Sequence, residues 1–151
     1  MISVALSDPA EPEARALLQA SHDLMRALFD PEDNHFLSIE ALQGPDVRFF
    51  TGSLGGKTVA TGAMAVKDGY GEVKSMFTAD EARGKGVAYA VLTKIEEDAV
   101  GLGLPLLRLE TGDTLLAARA MYTKAGFSEC GRFGDYPMDG ARSVFMEKRI
   151  G

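Results

Sequence analysis

The sequence predicts an α/β fold built on a sheet that is not purely parallel. Segments of period-two alternation are interleaved with segments of helical period, and the order begins and ends with strand pairs. In mid-chain, a strand, a glycine loop and a helix follow one another directly.

Ile2 to Leu6 alternates as a strand does, and Asp8-Pro9 interrupts it with turn and cap chemistry. From Glu11 onward, Ala14, Leu17, Leu18, Leu24, Met25 and Leu28 recur near helical spacing among charged residues, which predicts an amphipathic helix. Residues 30–35 are polar, and a short helix is expected from Ser38 to just before Gly44-Pro45. Two strands, Val47 to Ser53 and Thr58 to Val66, flank a turn at Gly55-Gly56. A second turn, Asp68 to Gly71, leads into a central strand, Glu72 to Thr78, with Val73 and Phe77 on one side and Glu72 and Lys74 on the other. After the glycine loop at residues 83–86, Val87, Val91, Ile95 and Ala99 align on one helical face that Gly101 should end. Leu106 to Glu110 reads as a strand. Asp113 or Thr114 is expected to cap a helix bearing Leu115, Ala118, Tyr122 and Ala125, and Gly126 to stop it. The tail reads as strands Phe127 to Arg132 and Ser143 to Arg149 around a turn centred on Asp139-Gly140.

At 151 residues and 46% apolar composition, one domain spanning 1–151 is expected. A formal charge of -6 and a pI near 4.9 give no overall attraction to nucleic acid or anionic membranes, and favour a cationic or amine-bearing substrate. No stretch reaches the roughly 18 consecutive apolar residues of a membrane span. The N-terminus lacks a basic start and meets Asp8, Glu11 and Glu13 early, unlike a signal peptide. The lone Cys130 forms no internal disulfide or metal knuckle, so no metal and a reducing, cytoplasmic location are expected.

The chemistry concentrates in Arg83-Gly84-Lys85-Gly86-Val87-Ala88. Two residues without a Cβ, two cations and a following helix N-terminus together make an anion site able to take a pyrophosphate. The run lacks the Lys-Ser/Thr ending of a P-loop and the three-glycine spacing of a dinucleotide fingerprint. Taken alone, such a loop is more often only a turn.

Its context adds to it. Arg83, Gly86 and Ala88 occupy an Arg-x-x-Gly-x-Ala pattern that resembles the cofactor-binding motif of the GNAT superfamily of N-acetyltransferases. Ala118-Arg-Ala-Met-Tyr122-Thr-Lys-Ala-Gly126-Phe127 is similar to that family's second segment, an alanine helix ending in Tyr-x-x-x-Gly-Phe. The ending, Phe133-Gly134-Asp135-Tyr136 followed by Ser143-Val144-Phe145-Met146, resembles a group of small bacterial members. Leu115 stands seven residues before Tyr122, where many members carry an asparagine that bonds pantetheine.

The resemblance implies a single-domain, mixed, mostly antiparallel sheet flanked by helices, with central strands splayed to admit coenzyme A. It implies acetyl-CoA as acetyl donor and direct transfer to a primary amine, without an acyl-enzyme. Arg83, Gly84, Lys85, Gly86, Val87 and Ala88 would then hold the diphosphate, while Met76, Phe77 and Thr78 offer backbone partners to the pantetheine arm, with Ala118 beside it. Glu72 precedes Arg83 by the family interval of a catalytic base, and a proton acceptor is useful because an alkylammonium has a pKa of about 10.4; a strand glutamate paired with Lys74 is the plainer alternative. Tyr122 resembles the general acid that protonates the leaving thiolate, with helix packing as the alternative. Arg26, His35, Glu110 and Tyr136 come from segments that line the acceptor entrance in similar proteins: Glu110 suits an ammonium and Arg26 a carboxylate, together fitting an amino-acid-like molecule. A protein or peptide N-acetyltransferase and a noncatalytic acetyl-CoA sensor or interaction module are the competing functions. Exposed apolar positions in the terminal strands allow a homodimer.

Overall fold

Seven strands join in one sheet in the computed structural model, which describes residues 1–138, 140 and 142–151. In chain order they are β1 (Ile2–Leu6), β2 (Val47–Leu54), β3 (Lys57–Lys67), β4 (Tyr70–Thr78), β5 (Leu106–Gly112), β6 (Ser128–Glu129) and β7 (Ser143–Arg149). Four α-helices accompany them among the described residues: α1 (Pro12–Leu28), α2 (Ile39–Leu42), α3 (Val87–Gly101) and α4 (Leu116–Lys124). Across the sheet the order is β1-β2-β3-β4-β5-β7-β6. The β4–β5 pair is parallel because α3 carries the chain back between them, and the other neighbours run antiparallel. This is the mixed, mostly antiparallel sheet flanked by helices that the sequence implied.

Both faces of the sheet centre are covered, which explains the near-continuous run of small and apolar residues in β3. On one face Val87, Val91 and Ile95 of α3 pack with Phe50, Met64 and Val73. On the other, Ala14 and Leu18 of α1 and Leu42 of α2 pack with Phe49 and Ala63. Adjacent Phe49 and Phe50 thus serve opposite cores, as strand alternation requires. Arg48 of β2 clamps Asp98 of α3 with two bonds of 2.8 Å each, from Nε and Nη2, which fixes the helix on its face.

Three local expectations change. The strand expected over Phe127 to Arg132 shrinks to Ser128–Glu129, because the chain leaves the sheet to carry Phe133 into an aromatic cluster with Tyr70, Tyr136 and Phe145. α3 continues through Gly101 and closes at Leu102, with Gly103 taking the left-handed conformation. α4 starts from Leu115 without a side-chain cap, since the Asp113 carboxylate is held by Arg142 Nε at 2.9 Å. The last expected turn lies partly outside the described residues: Asp139 is not among them. Among the described residues no helix is long and apolar enough to cross a membrane.

Candidate active site

The site begins with a break in strand pairing. β4 and β5 are paired only from Gly71 opposite Leu107 to Val73 opposite Leu109. Beyond that, a bulge in β4 places Ser75 and Met76 opposite the single Gly62 of β3, and Ser75 adopts φ +58. Bulges bend and twist a strand, so the end of β4 turns away from β5. The central strands therefore splay, as expected. Thr61 of β3 fastens the bulge by donating to the Ser75 carbonyl at 2.8 Å.

A cleft of about 1100 Å³ fills this split. It is bounded on the α3 face by Arg83, Gly84, Gly86, Val87 and Ala88, and on the α1 face by α1 and residues 33–36. Met76, Phe77 and Thr78 of β4 and Ala118 and Tyr122 of α4 also line it. It thus passes through the sheet from one face to the other.

At its α3 end, the first helical amide with a main-chain acceptor is Ala90, which bonds to Gly86 O at 3.1 Å. Among the described residues, the N–H groups from Gly84 to Tyr89 have no backbone acceptor, which leaves the donors of a helix start free at a cleft wall. Gly86 caps the helix at φ +86, and Gly84, at φ +76, has no heavy atom within 4 Å of where a Cβ would stand. The loop is held open by Arg83, whose Nε donates to Thr78 O at 3.2 Å while Nη1 meets Asp80 at 3.0 Å. Lys85 is exposed and does not line the cleft.

Tyr122 comes from the last turns of α4. Its main-chain carbonyl accepts from Phe127 N at 3.0 Å, and Gly126 N donates to Thr123 O at 3.0 Å, the paired bonds with which a glycine in the left-handed conformation closes a helix. The ring packs edge-on against Phe127. Its hydroxyl has no hydrogen-bond partner among the described residues, and burial together with the Glu110 charge raises its pKa.

Glu110, at the end of β5, lines the cleft and accepts from Ser143 Oγ at 2.7 Å. Burial raises its carboxyl pKa against the opposing pull of that hydrogen bond. Glu72 is buried and does not line the cleft. It accepts a hydrogen bond from the Tyr136 hydroxyl, and Tyr136 in turn accepts from Lys74 Nζ at 2.8 Å. Lys74 also donates to the His35 carbonyl at 2.9 Å and lies 3.6 Å from Glu72. The Tyr136 phenol pKa is raised by burial and by donation to Glu72. His35 lines the cleft and meets Tyr136 edge-on, whereas Tyr136 and Arg26 lie outside the lining; Arg26 pairs with Asp23 on the surface.

A model of the acetyltransferase (GNAT) family matches residues 14–127. The chain belongs to the GNAT acetyltransferase family. It is 37% identical to an IAA acetyltransferase of Azospirillum brasilense over 151 residues, covering 99% of this chain and 98% of that one. It is 39% identical to the uncharacterized N-acetyltransferase YsnE of Bacillus subtilis, across 83% of this chain and 85% of that one. A solved structure from Klebsiella pneumoniae, assigned as an acyl-CoA N-acyltransferase, superposes with a TM-score of 0.83 at 30% identity, over 100% of this chain and 99% of that one.

This GNAT protein is an N-acetyltransferase, and acetyl-CoA is its acetyl donor. The α3 loop fits such a donor by its own chemistry: free main-chain donors and a glycine with open space above it suit a diphosphate. Sequence reasoning missed Lys74 as the centre of a hydrogen-bond network and Ser143 as the partner of Glu110. It placed Leu24, Met25 and Leu28 in an amphipathic helix without marking them as cleft lining. The signal was faint: the apolar face of α1 continues beyond the turns that Ala14 and Leu18 bury.

Proposed function

We propose that this enzyme moves the acetyl group of acetyl-CoA directly to the primary amine of a small-molecule acceptor, with residues 1–151 acting as one domain. One observation carries the reading: a single cleft crosses the sheet at the β4–β5 split, so a donor on the α3 face and an acceptor on the α1 face can share one opening. Direct transfer needs that shared opening, because proximity in a fixed geometry replaces a covalent relay through the protein.

Bound acetyl-CoA supplies an acetyl group already activated as a thioester. The main-chain donors from Gly84 to Ala88 hold its diphosphate, with Arg83 maintaining the loop and Lys85 contributing charge from outside. The β4 backbone at Met76, Phe77 and Thr78 serves the arm as a neighbouring strand would, beside Ala118. Glu110 is the carboxylate facing the reacting nitrogen. Burial makes it a stronger base than an exposed glutamate, and it takes the proton that an alkylammonium would otherwise keep. Glu72 acts one layer behind, fixing Tyr136 and Lys74. The Tyr122 phenol keeps its proton because burial disfavours the phenolate, donates it to the departing thiolate as the C–S bond breaks, and recovers one from the nitrogen that has gained the acetyl group.

The test is thiol release from acetyl-CoA across polyamines, amino acids, aminoglycosides and peptides, with products read by mass. An acetylated small amine is expected. Peptide products alone would replace the small-molecule acceptor, and coenzyme binding with no thiol release from any acceptor would end the enzymatic reading of this cleft.

A further inference from the structure

We infer that the acceptor is an amine carried on an alkyl or aryl group and bearing no carboxylate, a narrowing that rests on the transfer reading above. The apolar part of the α1 side of the cleft is Leu24, Met25, Leu28, Phe29 and Phe36, beside the polar Ser21, Asn34 and His35. Leu24, Met25 and Leu28 share a stripe on the last two turns of α1, where the sheet no longer covers them. Leu28 is 44% exposed, an apolar side chain left at the mouth of a concave site. Phe36 is held as a rigid wall: the His22 ring stacks on it at 4.2 Å and the Arg26 guanidinium lies 5.4 Å from its centroid. Such a surface gains by covering hydrocarbon and loses by covering a hydrated charge.

The fixed charges on this side fit an ammonium better than a carboxylate. Glu110 and Asp33 both line the cleft. Among the described residues, Lys74 is the one ammonium or guanidinium lining the cleft on the α1 side, and it is already engaged: it donates to His35 O and the Tyr136 oxygen and lies 3.6 Å from Glu72. Arg26, which suited a carboxylate on sequence grounds, is engaged with Asp23 and Phe36 outside the lining. A bound carboxylate would therefore lose water, face Glu110 and Asp33, and find no free cation on the α1 side, since Lys124, which also lines the cleft, stands on α4 at the α3 face.

Matched acceptors test this: phenethylamine against phenylalanine, and hexylamine against 6-aminohexanoate. Each is assayed for kcat/KM with acetyl-CoA, and for equilibrium binding to protein saturated with coenzyme A. Removing an unpartnered charge should favour phenethylamine and hexylamine by at least about tenfold in both measurements. Leu28→Lys, which adds a cation at the mouth on an already exposed position, should narrow the phenethylamine-to-phenylalanine ratio several-fold. If phenylalanine or 6-aminohexanoate binds as well as its partner, or better, the acceptor class is wrong even where transfer is real. If the apolar amines bind tenfold tighter yet no acceptor is acetylated, the acceptor class stands and transfer falls.

Discussion

Replacing Tyr122 by phenylalanine separates chemistry from architecture, because its ring and its hydroxyl have different partners. The ring is buried against Phe127, and phenylalanine preserves that packing. The hydroxyl makes no hydrogen bond to a described residue, so its loss strands no protein donor or acceptor. The expected stability change is within about 0.5 kcal/mol. For a chain of this length that is about 1–2 °C in Tm. Loss of a proton donor to the leaving thiolate, by contrast, costs about 10²–10⁴-fold in kcat. At 1.36 kcal/mol per decade, even the lower bound is about 2.7 kcal/mol of transition-state stabilisation. Steady-state thiol release, acetyl-CoA binding by calorimetry and thermal melting would be measured on the same preparation. The expected result is a large fall in kcat with nearly unchanged coenzyme affinity and Tm. Unchanged turnover would refute the acid role, and a Tm loss of several degrees would show that the hydroxyl has a structural partner. Because burial raises this phenol pKa, the wild-type rate should also show no alkaline decline from Tyr122 within the ordinary working range.

Four further outcomes follow from the same geometry. Glu110 has a raised folded-state pKa, so its contribution to stability is present below the unfolded value and is lost as pH rises through the folded one; Glu110→Gln should flatten that decline in a melting series. The same variant should lower turnover by at least about tenfold near neutrality, with a deficit that shrinks at high pH as free amine accumulates, and a pH-independent deficit would favour a positioning role. Gly86→Ala forces a side chain into φ +86 with Ile2 Cδ1 no nearer than 3.9 Å, so the cost is backbone strain of about 1–2 kcal/mol; acetyl-CoA affinity measured by calorimetry should fall at least about tenfold, and unchanged affinity would remove the loop from the diphosphate site. Gly62→Ala brings a Cβ to 2.5 Å from Val91 Cγ1 and 2.7 Å from Met76 Sδ. The flexible methionine can move but the β-branched valine on α3 cannot, so a loss of about 1–3 kcal/mol is expected by denaturant titration, partly recovered in Gly62→Ala/Val91→Ala.

The sequence alone determined what depends on local pattern. Alternation in β2 and β3, the helical spacing of Val87, Val91 and Ile95, and the glycine loop before α3 are all short-range signals, and the two motifs at residues 83–88 and 118–127 carried the family. The strand at Phe127 to Arg132 was misjudged because its alternation is real but its pull toward the aromatic cluster of Tyr70, Tyr136 and Phe145 comes from residues distant in sequence. Tertiary structure alone decided which carboxylate faces the cleft. Glu72 and Glu110 lie on adjacent parallel strands, but pairing ends at Val73 opposite Leu109, so Glu110 comes just past the split while Glu72 stays behind Tyr136 and Lys74. Nothing in the two segments records that difference, because a bulge in one strand and a tyrosine 64 residues further along create it.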